Sequence, residues 1–254
     1  MKVFGIIPAR YASTRFPGKP LAEIRGKSMI ERVYQRASQA FEYVAVATDD
    51  YRIADEVRRF GGRHVMTSLS HLTGTDRCAE ALTLMQEDLG VQADAVVNIQ
   101  GDEPFVDPDL LVRIAGCFED ESARIATVVK SIDNPDDLFD PNCVKAVIDL
   151  QGRAIYFSRS PVPYIRGYAR EEWPKRHVFY RHLGLYAYRA DALLQLTRLP
   201  ASSLEIAESL EQNRWLENGY CIKVIETDRE TVAIDTPGDM EKIRRLLDEN
   251  KISL

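Results

Sequence analysis

Cysteine and histidine are scarce in this chain, with four of each among 254 residues. Cys78, Cys117, Cys143 and Cys221 are widely scattered and form no Cys-x-x-Cys pair; His64, His71, His177 and His182 supply no spaced partners. A zinc site of ordinary spacing and a disulfide framework are therefore excluded, and the cysteines are expected to be reduced and mostly buried. No apolar run is long enough to cross a bilayer. The opening MKVFGIIPAR is broken by Pro8 and has neither a long apolar core nor a small-residue cleavage site. No signal peptide is expected from it, and a cytoplasmic place is. Basic charge is not in excess: 33 Lys and Arg face 39 Asp and Glu, for a net charge of -6. That argues against a general nucleic-acid binder and leaves room for a local cationic site. Neither G-x-x-x-x-G-K-[ST] nor G-x-G-x-x-G occurs, so the two common glycine-rich phosphate signatures are missing.

What the chain has is alternation. VFGIIP reads as a buried strand, and Ser28 with Glu31 has capping-box spacing before a helical face of Met29, Ile30, Val33 and Ala37. YVAVATDD is a strand, YRIADEVRRF a helix stopped by Gly61-Gly62, and residues 76–89 are helical in period. DAVVNIQ is a strand running into GDEPFVDP, and Asp107-Pro108 starts a helix that runs through Phe118. RIATVV follows as a strand. CVKAVIDLQGRAIYFSR reads as a β-hairpin turning at Gln151-Gly152, an antiparallel element. HLGLYAYR is a strand, RADALLQL a helix, and SSLEIAESLEQNRWLENG one continuous amphipathic helix. YCIKVIET and TVAIDT are strands, and PGDMEKIRRLLDEN is the closing helix. The expected class is α/β: a layered, mainly parallel mixed sheet with helices on both faces. One domain over 1–254 is expected, with an antiparallel subregion inserted at about 142–186. The stretch SPVPYIRGYAREEWPKRH is long for a loop, which marks it for use.

Ligands of open α/β sheets bind beyond the carboxyl ends of the strands. The first strand delivers Arg10, Ser13, Arg15 and Lys19; others deliver Asp49 and Asp50, Gln100, Asp102 and Glu103, and Asp235. Backbone amides and three cations can hold a triphosphate, and each loop cation is expected to stand exposed before the nucleotide arrives. Asp102 and Asp235, each ending an apolar run, make a hard oxygen site for Mg²⁺ if the sheet brings them together. By pattern alone, Asp102 could equally cap a turn and Asp235 the last helix. Thr73-Gly74-Thr75-Asp76-Arg77 reads as a helix cap or as a nucleotide contact. His182 reads as a satisfied structural histidine, with Tyr186 on the same side of the strand.

IIPARYASTRFPGKPL resembles the opening signature of the sugar-acid cytidylyltransferases. ATDD, TGTDRCAEA, VVNIQGDEPF, YFSRSPVPY, HLGLYAYR, SLEIAESLEQNRWLENG and VAIDTPGDME extend the likeness over nearly the whole chain. Together they point to the branch that activates 3-deoxy-manno-octulosonate (Kdo), a precursor of lipopolysaccharide. The resemblance implies a nucleotidyltransferase fold, a homodimer, CTP and Kdo as substrates, and Mg²⁺ as cofactor. It implies Arg10, Ser13, Arg15 and Lys19 for the triphosphate, Ala9 and Arg77 near the nucleotide, and Asp102 and Asp235 for the metal. It assigns Gln100, Arg159, Arg166, His182, Tyr186, Glu208 and Gln212 to the sugar pocket. Relatives commonly carry leucine where this chain has Asn213. The rival readings are a cytidylyltransferase for a nonulosonic acid such as neuraminate and a non-catalytic nucleotide-binding protein.

Overall fold

In the computed structural model, residues 1–12, 14–229 and 233–249 are described. The chain divides into two compact units, Met1–Ala115 with Thr231–Leu254, and Gly116–Glu230.

The first unit begins with β1 (Val3–Ala9), whose side chains are almost all buried, as its apolar run requires. A short antiparallel pair, β2 (Glu23–Ile24) and β3 (Lys27–Ser28), leads into α1 (Met29–Ala40). Ser28 caps that helix by accepting from the Glu31 amide, and Met29, Ile30, Val33 and Ala37 are buried as their spacing predicts. The Glu31 carboxylate turns instead to Gln35 and Arg59. β4 (Tyr43–Thr48), α2 (Tyr51–Arg59), β5 (His64–Met66), α3 (Gly74–Leu89), β6 (Ala95–Asn98) and α4 (Pro108–Gly116) continue the alternation. β1, β4, β5 and β6 pair in parallel in the order β6-β1-β4-β5. Each connection passes through a helix, the crossover that parallel neighbours need, and all carboxyl ends then share one edge. The closing helix Pro237–Asp248 returns to this unit and packs Met240, Ile243 and Leu247 against Ile24 and Met29. The described part of the expected 231–236 strand, from Ala233 on, lies outside any strand.

The second unit holds β7 (Ile125–Ile132), α5 (Pro135–Phe139), β8 (Lys145–Ile148), β9 (Ala154–Ser158), α6 (Trp173–Arg176), β10 (Phe179–Arg189), α7 (Ala190–Leu196), α8 (Ser203–Glu208), α9 (Glu211–Glu217) and β11 (Ile222–Glu226). β10 runs antiparallel to β7 and β8, β8 antiparallel to β9, and β11 parallel to β7. The expected hairpin is therefore β8–β9, with Gly152 in a left-handed turn at φ 73°. The long 160–177 stretch is anchored by Trp173, buried against Ile132, Leu138 and Phe179.

The single helix expected over 202–219 is corrected to two. Ser209 adopts a left-handed conformation at φ 52°, and the chain turns between α8 and α9. The Glu208 carboxylate accepts from Tyr156, Ser158 and the Arg159 amide, while the Arg159 guanidinium donates to the carbonyls of Glu208 and Ser209. Those bonds draw out the carbonyls that a continuous helix would use. Leu204 and Ile206 are left exposed, so the apolar spacing in α8 serves no core. Asn213 is fully buried. Its side chain accepts from the Phe157 amide and donates to the Phe157 carbonyl, as a neighbouring strand would. Of the cysteines, Cys78 and Cys117 are buried, Cys143 is partly so, and Cys221 is exposed, which corrects the expectation for that last one. No helix among the described residues is long and apolar enough to cross a membrane.

Candidate active site

β1 and β6 pair side by side, and just beyond their carboxyl ends position 101 is glycine. A Cβ there would stand 3.0 Å from the Pro8 carbonyl oxygen, tighter than nine in ten real Cβ contacts. The turn after β6 thus lies directly on the end of β1. The loop after β1 closes on itself at Gly18, which adopts φ 72° and donates its amide to the Tyr11 carbonyl at 3.0 Å. A short turn, Lys19–Leu21, follows. From the far end of the chain, the Ile234 amide donates to the Asp102 carbonyl at 3.0 Å, which sets Asp235 beside Asp102.

Three parts of the sequence then converge on one ammonium. Lys19 Nζ donates to Asp102 Oδ2 at 2.6 Å and to Asp235 Oδ1 at 3.1 Å, and Arg15 Nη2 reaches Asp235 Oδ1 at 3.3 Å. The exposed state expected for the loop cations holds for Arg15, whose side chain is 67% accessible, and is corrected for Lys19, at 13%. Asp235 does not cap the last helix. Thr236 does, reciprocally with Asp239. Glu103, next to Asp102, is buried; burial first and the Asp102 charge second push its carboxyl up to about 8. It is largely neutral at pH 7 and adds little competing negative charge.

A cavity of about 240 Å³ opens over this cluster. Pro8, Ala9 and Arg10 form one wall and Gln100 and Gly101 another, with Lys19, Asp102 and Asp235 between. His71, Thr73, Gly74 and Arg77 close the side contributed by the β5–α3 segment. Thr73 is the N-cap of α3. Arg77 is buried, donating to Asp49 at 2.7 Å and Thr67 at 2.6 Å, so Asp49 serves as its counter-ion. Asp50 caps α2. Ser13 lies outside the described residues. His71, whose Nε2 bonds Glu80, was not singled out from the sequence. The signal available was its place in the polar segment that follows β5, by the same strand-end logic that marks Lys19.

The other expected residues lie in the second unit. Arg159 spends its guanidinium on the carbonyls of Pro141, Glu208 and Ser209, while Arg166 is exposed. His182 and Tyr186 flank a bulge in β10 with ring centroids 5.1 Å apart, and Tyr186 packs on Trp215. Gln212 is buried, and its Nε2 has no acceptor among the described residues. His182 Nε2 bonds Thr127 Oγ1 at 2.9 Å, and its ring packs on Phe157. Desolvation there pulls the imidazole down to about 3. The group stays neutral in the fold but protonates in the unfolded chain below its ordinary 6.5. Folding stability is therefore expected to fall as the pH drops from 6.5 toward 3, with a slope of up to about 1.4 kcal/mol per pH unit from this residue. His182→Asn should flatten the acid limb of urea midpoints against pH. An unchanged limb would show that the ring is not desolvated.

Among the described residues no cluster of three or more His, Cys, Asp or Glu gathers as a metal cage. Two carboxylates facing one cation do gather. That is the protein share Mg²⁺ uses when phosphate oxygens and water complete its shell, so the donor set fits that ion. A parallel sheet whose strand ends bring a cationic loop, two carboxylates and a cavity together has the layout of an α/β nucleotide-handling enzyme.

The cytidylyltransferase family model matches residues 4–247. The 3-deoxy-manno-octulosonate cytidylyltransferase of Parabacteroides distasonis is 56% identical over 246 residues, covering 95% of this chain and 96% of that protein. The enzyme of the same name from Bacteroides thetaiotaomicron is 52% identical over 250 residues, covering 97% and 98%. A solved structure of CMP:2-keto-3-deoxy-manno-octonic acid synthetase complexed with CTP matches with a TM-score of 0.89 at 39% identity, covering 98% of this chain and 100% of that one. The chain belongs to the cytidylyltransferase family, in its 3-deoxy-manno-octulosonate branch.

Proposed function

We propose that the protein transfers CMP from CTP to the anomeric 2-hydroxyl of Kdo, giving CMP-Kdo and diphosphate. The observation that carries the reading is the convergence of Lys19, Asp102 and Asp235 at the strand-end cavity. The hydroxyl attacks the α-phosphate and diphosphate leaves in line. No side-chain nucleophile is required, so the work is positioning and charge stabilisation. Arg15 and Lys19 neutralise charge growing on the departing diphosphate; Arg10 and Ser13 are assigned to the triphosphate by the resemblance, and Ala9 to the cytosine pocket. Asp102 and Asp235 would hold Mg²⁺, which supplies Lewis-acid polarisation and lowers the pKa of the attacking hydroxyl.

Gln100, His182, Tyr186, Glu208 and Gln212 belong to the sugar side of this reading. Because Arg159 is engaged with main-chain carbonyls, Arg166 is the better candidate for the Kdo carboxylate, which suits a planar two-pronged donor. A homodimer to which the inserted subregion at about 142–186, with Arg159 and Tyr164, contributes, a cytoplasmic place and one domain over 1–254 complete the reading. With Mg²⁺ and Kdo, the protein is expected to release diphosphate from CTP at least tenfold faster than from ATP or GTP, about 1.4 kcal/mol of discrimination. Equal rates with ATP would sink the assignment. Turnover of neuraminate in place of Kdo would move it to the sister activity, and nucleotide binding with no turnover of any sugar acid would mark a non-catalytic binder.

A further inference from the structure

Arg52 sits outside the residues assigned above, yet it touches the nucleotide loop. Its guanidinium carbon lies 3.3 Å from the centroid of the Tyr11 ring. Two of its nitrogens, Nε and Nη2, donate to the two oxygens of Asp50 at 2.9 and 2.6 Å, so the guanidinium plane is fixed. Asp50 is fixed in turn: it accepts the Arg52 amide at 2.9 Å, and its own amide donates to Thr48 Oγ1 at 3.2 Å. Thr48 is buried at the end of β4, in register with Ala9 at the end of β1. Tyr11 also lies against Gly18, so close that an added Cβ there would stand 3.2 Å from the ring. A continuous series of contacts thus runs from the core strand through Asp50 and Arg52 to Tyr11 and Gly18. Arg15 lies inside the loop that Tyr11 and Gly18 close, and Lys19 follows it directly.

We propose that Arg52 is a positioning residue for the nucleotide: by stacking on Tyr11 it holds the 11–18 loop in the form that presents Arg15 and Lys19 to the triphosphate. The inference rests on the cytidylyl reading above. A loop ordered in advance spares the nucleotide the entropy of ordering it, and the gain falls on affinity for CTP. A cation over an exposed ring corresponds to about a two- to fivefold change in a binding constant.

The experiment compares the full-length protein with Arg52→Ala, Arg52→Lys, Tyr11→Leu and the Arg52→Ala/Tyr11→Leu double variant. CTP binding is measured by calorimetry and turnover by diphosphate release with Mg²⁺ and Kdo. Arg52→Ala should raise both Kd and KM for CTP about two- to fivefold, leaving kcat and the KM for Kdo at parental values. Arg52→Lys, which keeps the cation and loses the fork, should fall between the two. The double variant should bind CTP no more weakly than Tyr11→Leu alone, since both changes remove one contact. Parental CTP binding by Arg52→Ala would overturn the proposal, as would fully multiplicative effects in the double variant or an equal rise in the KM for Kdo. Failure of the parent to bind CTP would overturn the functional reading itself, and this inference with it.

Discussion

Replacing either Asp102 or Asp235 with Asn is expected to lower Mg²⁺-dependent diphosphate release by about a hundredfold or more, the scale seen when one preorganised charge-stabilising group is removed. Asn keeps nearly the same size and can still accept a hydrogen bond, but it lacks the charge that a hard divalent cation requires. Thermal midpoints should stay within a few degrees of the parent. Each carboxylate is partly exposed, and a partly exposed ion pair contributes about 0–1 kcal/mol. In either variant Lys19 retains the other aspartate as its partner. A change of helix cap would give a different pattern, and the structure has already assigned that duty to Thr236. Mn²⁺, which accepts nitrogen and oxygen donors more readily, should restore part of the rate. The measurement is diphosphate release by D102N and D235N across a Mg²⁺ series. Near-parental rates with an unaltered metal requirement would place the metal elsewhere.

Lys19→Ala should cost the second largest share of activity, about 10- to 150-fold in kcat/KM, equivalent to a lost charge-assisted bond of about 1.5–3 kcal/mol. Arg15→Ala should cost less, because the Arg15 side chain is mostly solvent-exposed and closes a longer contact. The two substitutions should also differ in the nucleotide-free protein. Losing Arg15 leaves Asp235 bonded to Lys19, whereas losing Lys19 leaves two carboxylates near one another without their shared cation. K19A is therefore expected to melt slightly below the parent, and R15A at the parental temperature. Steady-state kinetics and thermal melts on both variants test this. Parental kcat/KM in K19A would return the loop to an ordinary solvent-facing stretch.

The architecture was legible where local pattern and tertiary demand agree. The first strand, the Ser28 cap and the apolar face of α1 follow directly from spacing, and so does the β8–β9 hairpin. The 202–219 stretch reads as one helix because its apolar spacing is helical throughout, and the structure divides it. What interrupts it is the pull of Ser158, Tyr156 and Arg159 on Glu208, across about fifty positions of sequence. The candidate site shows the same division. Lys19 and both aspartates are visible in the sequence as polar residues after apolar runs. Their mutual contacts, across 83 and 216 positions, depend on the parallel strand order and on the close approach at Gly101, neither of which any local window contains. The 13% exposure of Lys19 follows from those contacts, and for that reason it was not foreseen.

The neighbouring positions 235 and 236 divide two duties that one acidic residue at a helix start could have combined. Thr236, with Asp239, anchors the helix, and Asp235 is left with no structural office there. A library of variants selected only for surviving heat would accept almost any polar residue at 235 while rejecting many at 236. The same library selected for product would reverse that order. Two adjacent letters of this chain thus answer to different selective pressures, and a screen that reads one of them is blind to the other.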